Sequence, residues 1–182
     1  MEKLHGTTII AVKRNNKTVI AGDGQVTLGE TVMKGTARKV RKIGNGKVIS
    51  GFAGSVADAI TLLDKFEEKY SSSNGILIKA AANLAKEWRT SKVLRNLEAM
   101  LIVADTKSML VVSGNGEVIQ PDEDIIAIGS GGSFALAAAK ALIRNTEKDA
   151  RTIALESMKI ASEICIYTNG NIIYEELEGE DD

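Results

Sequence analysis

The order of strands and helices along the chain is the feature that most constrains its fold. Short β-branched runs predict strands over residues 7–13, 18–21, 40–43, 47–52, 100–104, 109–113, 117–120, 125–128 and 171–176. Apolar residues at helical spacing predict helices over residues 55–70, 76–96, 133–145 and about 150–167. Clustered hairpins joined to helix pairs favour an α+β fold over an alternating parallel sheet. In this fold two antiparallel sheets lie face to face, with helices on their outer faces.

The composition limits the class of protein. The chain has 182 residues, of which 44% are hydrophobic and 26% charged, as is typical of one globular domain. A net charge of −1 gives no field that would attract nucleic acid or an anionic membrane. No apolar run approaches the roughly 18 residues of a membrane span, and the N-terminus lacks a secretory pattern. The single cysteine, Cys165, excludes an intrachain disulfide framework and suits the reducing cytoplasm.

The junction between Gly6 and Thr7 carries the strongest chemical hypothesis. Cleavage there would give Thr7 a free α-amine with an ordinary pKa of about 8, which is suited to a general base. The amine would lie within one residue of the Thr7 hydroxyl, which would become the nucleophile. Glu2 disfavours simple removal of Met1, so exposing Thr7 requires a specific cut, by self-cleavage. Residues 1–6 are therefore predicted to be a propeptide, and residues 7–182 a single domain.

Asp23 and Lys39 are the charged groups expected to serve Thr7. Asp23 ends the strand that pairs with the strand beginning at Thr7, so both lie at one end of the sheet. An ammonium group there would lower the pKa values of the Thr7 hydroxyl and amine, and Asp23 would keep Lys39 charged and oriented. A turn aspartate and a surface lysine are the ordinary alternatives. The C-terminal residues 175–182 are acidic, which predicts a frayed tail.

Two glycine-rich turns, residues 51–55 and 129–133, each lead towards a helix N-terminus. Their backbone N–H groups can stabilise an oxyanion, and Ser130 offers a hydroxyl for a proton network. Phosphate binding is the competing interpretation, although neither turn matches GxxxxGK[ST] or GxGxxG. A small-ligand module therefore stays open as an alternative, and a nucleotide-binding test would separate it from a peptidase.

With these residues laid out, the chain resembles the HslV (ClpQ) family of proteasome-like bacterial peptidases. The matching segments run in order over essentially the whole chain: residues 5–8, 22–27, 34–35, 37–41, 51–58, 113–116, 128–132 and 164–169. The resemblance implies an N-terminal-nucleophile hydrolase with a four-layer αββα sandwich fold. It implies a threonine-type endopeptidase in which Thr7 is the nucleophile once the propeptide is removed. Lys39 and Asp23 are implied as its electrostatic partners, with Ser130 completing the proton network.

The resemblance also implies two backbone sites. The oxyanion donor is implied to be an amide of the 51–54 turn, where we prefer Gly51 and keep Gly54 as the alternative. Sodium is implied as a structural cation, bound by backbone carbonyls of the segment that matches Ser162, Cys165 and Thr168. Some relatives have glycine at the position of Ser162, which a carbonyl ligand tolerates because every residue has one.

An assembly and a partner are implied as well. Family members form two stacked six-membered rings around a chamber, and the hexameric AAA+ ATPase HslU unfolds substrates and activates the peptidase. The sequence contains no Walker motif, so ATP hydrolysis is assigned to the partner. The implied function is degradation of unfolded proteins in the bacterial cytoplasm. The alternative is a ring-forming subunit that is never processed. Retention of the whole catalytic set argues against it: Thr7, Asp23, Lys39 and Ser130.

Overall fold

The computed structural model describes residues 4–180 of the chain. Its strands are β1 (Leu4–His5), β2 (Thr8–Arg14), β3 (Lys17–Gly22), β4 (Val26–Leu28), β5 (Thr31–Lys34), β6 (Val40–Ile43), β7 (Val48–Gly54), β8 (Ala99–Ala104), β9 (Met109–Ser113), β10 (Val118–Ile119), β11 (Ile125–Gly129) and β12 (Ile173–Glu178). Its helices are α1 (Val56–Ser72), α2 (Leu77–Thr90), α3 (Gly132–Asn145) and α4 (Ala150–Ile164), with a 3-10 turn at Leu94–Asn96. The predicted propeptide lies partly outside the described residues, and its removal stays a prediction.

Two antiparallel sheets face each other at the centre of the fold. One has the strand order β10-β9-β8-β7-β6 and the other β11-β2-β3-β12. Helices α1 and α2 cover the outer face of the first sheet, and α3 and α4 cover that of the second. The α+β sandwich with αββα layers is therefore confirmed. A small sheet with the order β1-β4-β5, which the sequence did not predict, completes the described part of the chain.

Three apolar layers hold the sandwich together. Because side chains alternate along a strand, Ile9 of β2 enters the layer between the two sheets while Ile10 packs against α3 and α4. The first five residues of β2 are consequently buried whichever way they point. Phe66 and Trp88 fill the layer between α1, α2 and the five-stranded sheet. Thr7 thus precedes a strand that is fixed on both faces.

Turn chemistry sets the pairing of β2 with β3. Asn15 and Asn16 have φ values of 51° and 60°, the left-handed conformations that a two-residue type I′ hairpin requires. The resulting register places Ile9 opposite Gly22, one residue before Asp23. The predicted hairpin is confirmed, and with it the convergence of Asp23 and the start of β2 at one end of the sheet.

Helix boundaries differ from the predicted ones at two C-termini. Helix α2 ends at Thr90, rather than at residue 96, because Ser91 adopts an extended backbone. Helix α4 ends at Ile164, rather than near residue 167, because Cys165 is extended as well. Ser55, the predicted N-cap of α1, does accept a hydrogen bond from the Asp58 N–H at 3.4 Å.

The predicted fraying of the C-terminal tail is wrong for its first four residues. Strand β12 continues to Glu178 and pairs with β3 throughout, with Glu176 opposite Val19. Glu176 also accepts a hydrogen bond from Arg151 Nε at 2.9 Å. Backbone pairing at a sheet edge tolerates acidic side chains, because these side chains remain in contact with water.

Candidate active site

Thr7 lies immediately before β2 and is buried, with 3% of its surface exposed. Its Oγ donates to the carbonyl oxygen of Gly6, the residue on the other side of the predicted cleavage point. Gly6 has a φ of +117°, a conformation that L side chains rarely adopt. A Cβ there would also lie 3.1 Å from the carbonyl oxygen of Gln25 and 3.2 Å from that of Tyr167. The backbone conformation therefore favours glycine, and a side chain would also make its neighbours move by a few tenths of an ångström.

A buried ion pair joins Asp23 and Lys39 beside this junction. The Lys39 ammonium lies 3.3 Å from Asp23 Oδ1, and the two side chains are 1% and 0% exposed. Lys39 Nζ also donates to the carbonyl oxygens of Gly6, at 3.2 Å, and of Gln25. These oxygens satisfy a charge that would otherwise be costly to bury. The predicted grouping of Thr7, Asp23 and Lys39 is what the structure contains.

Asp23 is fixed by backbone donors as well as by Lys39. Its Oδ1 accepts the Thr8 N–H at 2.9 Å, and its Oδ2 accepts the N–H groups of Gln25 at 3.0 Å and Asn169 at 3.3 Å. Three peptide donors and one ammonium therefore hold both oxygens of the side chain in place. The Asp23 side chain has one fixed orientation beside Lys39.

Burial lowers the pKa of Lys39 below its ordinary value, because desolvation disfavours the ammonium form. The charge of Asp23 and its hydrogen bond to Lys39 oppose this effect without cancelling it. Lys39 is thus a cation that can release a proton more readily than a surface lysine. A buried lysine with a shifted pKa beside the Gly6–Thr7 junction marks a candidate functional site.

Ser130 approaches Thr7 from the turn between β11 and α3. Its N–H donates to the Thr7 carbonyl oxygen at 2.9 Å, and its Oγ lies 3.4 Å from the same atom. This approach depends on Gly129, whose φ is +93° and at which a Cβ would lie only 1.8 Å from that oxygen. The predicted neighbourhood of Ser130 and Thr7 is present, through the backbone of Thr7 rather than its hydroxyl.

The directions of the backbone N–H groups along β7 indicate which glycine can donate to an oxyanion. The Phe52 N–H donates to the Lys39 carbonyl on the β6 side, and the Ser55 N–H donates to the Glu98 carbonyl on the β8 side. Successive N–H groups of a strand point to opposite neighbours. Gly51 is separated from Ser55 by an even number of positions, so its N–H points into the sheet towards β8. It is therefore directed away from the side on which Lys39 lies.

Gly54 has the opposite direction. It is two residues beyond Phe52, so its N–H points to the Lys39 side, past the end of β6. Its φ of +108° ends the strand, and a Cβ there would lie 2.6 Å from the Glu98 carbonyl oxygen. The register favours Gly54 as the oxyanion donor. Our preference for Gly51 is corrected accordingly.

The residues implied for sodium lie at the C-terminal end of α4. Ser162 is in its last turn, Cys165 is its C-cap, and Thr168 donates its N–H to the Cys165 carbonyl at 3.1 Å. The last carbonyls of a helix lack intrahelical donors and lie at the negative end of its dipole. Carbonyl oxygens are hard ligands that suit a hard cation, so the donor chemistry fits sodium. Within residues 4–180 no cluster of three or more His, Cys, Asp or Glu could hold a metal.

The hydroxyls of Thr8 and Thr168 hold the Ser130 turn in place, whereas the family resemblance had implied a role only for the Thr168 carbonyl. Thr8 Oγ1 accepts the Gly131 N–H at 2.8 Å and lies 2.7 Å from Thr168 Oγ1. Both threonines are buried. A threonine after the nucleophile gives no local signal of this role, because its partners are more than 120 residues away. Only the assembled fold identifies it.

Comparisons with known proteins agree with the fold. The family model for proteasome subunits matches residues 3–177. The ATP-dependent protease subunit HslV of Petrotoga mobilis is 65% identical over 174 residues, which cover 96% of this chain and 98% of that protein. The crystal structure of HslV from Trypanosoma brucei superposes with a TM-score of 0.91 at 48% identity, covering 94% of this chain and 99% of that one.

A more distant structure, Thiobacillus denitrificans BPH, has a TM-score of 0.76 at 18% identity, covers 96% of this chain and 100% of that one, and shares the fold alone. The sandwich fold and these full-length matches define a proteasome-like peptidase subunit. The chain belongs to the proteasome family and, within it, to the HslV group. In the part of the chain that the structure describes, no helix has the length and apolar character needed to cross a bilayer.

Proposed function

We propose that this chain is the peptidase subunit of an ATP-dependent protease, with Thr7 as an N-terminal threonine nucleophile. One observation carries the proposal: in the intact chain, Thr7 Oγ and the Lys39 ammonium both contact the carbonyl group of Gly6. The nucleophile and a charge that stabilises developing oxyanion character therefore meet at one peptide bond. HslV relatives of 60–65% identity, named as subunits of ATP-dependent proteases, support the same class of activity.

The first reaction is self-cleavage between Gly6 and Thr7. Thr7 Oγ attacks the Gly6 carbonyl carbon, and its proton passes to the amide nitrogen as the C–N bond breaks, leaving an ester. Water then hydrolyses the ester, which releases the Gly6 carboxylate and restores the Thr7 hydroxyl beside a free α-amine. Lys39 stabilises the tetrahedral oxyanion at the Gly6 oxygen, which it already contacts.

Peptide hydrolysis by the mature chain repeats this sequence on a substrate. The Thr7 amine takes the hydroxyl proton, Oγ attacks the substrate carbonyl, and the amine returns the proton to the leaving nitrogen. The resulting ester is hydrolysed by water with the same amine as base. The Gly54 N–H stabilises the oxyanion, and the Lys39–Asp23 pair keeps the amine pKa low through its ammonium charge. Ser130 completes the proton network.

Sodium has a structural role in this proposal. The carbonyls of Ser162, Cys165 and Thr168 would hold it, since they lie in and just beyond the last turn of α4 and have the hard-oxygen chemistry that the ion prefers. The bound Na⁺ would offset the partial negative charges of these carbonyl oxygens. The same turn contains Asn169, whose N–H donates to Asp23. It takes no part in bond making or breaking.

The assembly is proposed as two stacked hexameric rings, with active sites inside the chamber, working in the cytoplasm on unfolded proteins. ATP hydrolysis belongs to a hexameric AAA+ partner of the HslU type, which delivers the chain to be cleaved and activates the peptidase. A free, buried Cys165 is compatible with a reducing compartment. The unprocessed, silent subunit is not favoured by the family membership.

A covalent label tests this function. The purified protein, with and without an HslU-type ATPase and ATP, is assayed on a fluorogenic peptide and treated with a peptide vinyl sulfone. We expect labelling at Thr7 and loss of activity in proportion to it. Thr7→Ala should lose self-cleavage, labelling and peptidase activity but keep ring assembly, whereas Thr7→Ser should keep a measurable part of each. Full peptidase activity in Thr7→Ala would overturn the proposal.

A further inference from the structure

We infer that Asn169 is a positioning residue that holds the two chain segments carrying Asp23 and Lys39 in their active arrangement. The inference rests on the proposed function, because it assigns Asn169 a part in the reactivity of Thr7. Asn169 lies in the turn between α4 and β12, at the end of the segment 164–169 that carries part of the family resemblance.

The first set of contacts joins Asn169 to the segment after β3. Its side-chain Oδ1 accepts the Gly24 N–H at 3.1 Å, and its own backbone N–H donates to Asp23 Oδ2 at 3.3 Å. One residue thus contacts both the carboxylate and the peptide that follows it. The other carboxylate oxygen of Asp23 is the one that receives Lys39. Asn169 therefore sets the orientation of the carboxylate from the side opposite to the ammonium.

The second contact joins Asn169 to the segment that leads into Lys39. Its Nδ2 donates to the Gly35 carbonyl oxygen at 2.9 Å, four residues before Lys39. This segment also touches the first one directly, because the Ala37 N–H donates to the Gly24 carbonyl at 2.9 Å. A single side-chain amide thereby links three segments that are far apart in sequence. The oxygen and the nitrogen of the Asn169 amide are both used. An aspartate of the same length could accept from Gly24 but could not donate to Gly35.

The chain offers a matched control in Asn171. Its Nδ2 donates to the same Gly35 oxygen at 2.8 Å, and its backbone N–H donates to Asn169 Oδ1 at 3.2 Å. It lies in the same turn region and has the same side chain, but its Nδ2 bond leads only to the Gly35 segment. Both variants lose a bond to the Gly35 carbonyl oxygen. Only Asn169→Ala also loses the acceptor for the Gly24 N–H next to Asp23 and for the Asn171 N–H within the turn.

The experiment measures the reactivity of each Thr7 site separately from the number of folded sites. The rate constant and the amplitude of Thr7 labelling by a peptide vinyl sulfone are measured on the assembled protein, together with kcat per labelled site and KM. A displaced Asp23–Lys39 pair lowers the reactivity of every site, whereas partial unfolding lowers only the number of sites. For Asn169→Ala we expect the labelling rate constant and kcat per site to fall about tenfold, with KM within about twofold.

Asn171→Ala should keep the rate constant and the kcat of the parent. A reduced amplitude with an unchanged rate constant in Asn169→Ala, or an equal loss in Asn171→Ala, would overturn the inference. If Asn169→Ala does not assemble, Asn169→Asp, which loses the donor to Gly35 but keeps an acceptor for Gly24, should still show a rate constant reduced about threefold. A parental rate constant in that variant would contradict the role. Absence of Thr7 labelling in the parent would instead remove the proposed function on which the inference rests.

Discussion

Lys39 Nζ lies 3.2 Å from the carbonyl oxygen of Gly6, so one buried ammonium contacts the bond proposed for self-cleavage and the carboxylate of Asp23 at the same time. The charge is therefore in place before the chain is cut. The same charge remains beside Thr7 when the amine is free. A single arrangement can thus serve both the maturation step and the later hydrolysis of substrates.

Removing one member of the Asp23–Lys39 pair should cost stability as well as activity. Lys39→Met leaves a buried carboxylate without its counter-charge and should lower the free energy of unfolding by about 3–5 kcal/mol. The double variant Asp23→Asn/Lys39→Met should recover most of this loss while staying inactive. Urea unfolding, followed by the fluorescence of the single, fully buried Trp88, measures the difference. A double variant as unstable as Lys39→Met would argue against burial of the unpaired charge as the cause.

Stability should depend on alkaline pH through Lys39. Burial lowers its pKa in the folded protein below the ordinary 10.5, which the unfolded chain retains. Between the two values the unfolded chain holds a proton that the folded chain has lost, so the free energy of unfolding rises with pH. Unfolding measured at several pH values up to 10.5 should show this rise in the parent and a smaller one in Asp23→Asn/Lys39→Met. Parallel pH profiles of the two proteins would contradict the direction of the pKa shift.

Gly6→Ala should slow self-cleavage without changing the mature enzyme. A Cβ at this position conflicts with a φ of +117° and with the carbonyl oxygens of Gln25 and Tyr167, so the scissile carbonyl should leave its place beside Thr7. We expect the precursor to persist at least about tenfold longer in a time course of intact mass. Once the propeptide is removed, kcat per labelled Thr7 should equal that of the parent. A lowered kcat per site would mean that Gly6 acts beyond maturation.

Sodium removal should lower activity through the turn after α4. Replacing Na⁺ by a large organic cation of equal concentration should reduce kcat and the melting temperature, since the carbonyls of Cys165 and Thr168 lose their counter-charge. Ser162→Gly should keep the sodium dependence, because its backbone carbonyl remains, and should cost about 0.5 kcal/mol through helix propensity. Activity independent of the cation, with unchanged melting, would argue against the site.

Much of the fold was predictable because its signals are local. The Asn15–Asn16 turn, the apolar strands and the Ser55 cap each report a conformation within a few residues. The small sheet that contains β5 was not predicted, since every residue of that strand is exposed and no apolar alternation marks it. The tail was predicted to fray because its acidic residues give no sequence signal that the segment pairs with a neighbouring strand.

The residues of the site likewise divide into those that the sequence could predict and those that it could not. Thr7, Asp23 and Lys39 could be grouped from one hairpin and a family resemblance, because the hairpin register brings the first two together. Asn169 could not, since its partners Gly24 and Gly35 precede it by more than 130 residues. The direction of the Gly51 N–H likewise follows from pairing on both sides of β7, which no sequence pattern reports.

The intact mass of the purified protein tests the central claim most directly. We expect a mass that lacks residues 1–6, so that Thr7 is the first residue and its amine is free. The Thr7→Ala variant, purified in parallel, should retain the full-length mass. A parent protein that keeps residues 1–6, and still cleaves peptides at the full rate, would contradict the threonine mechanism.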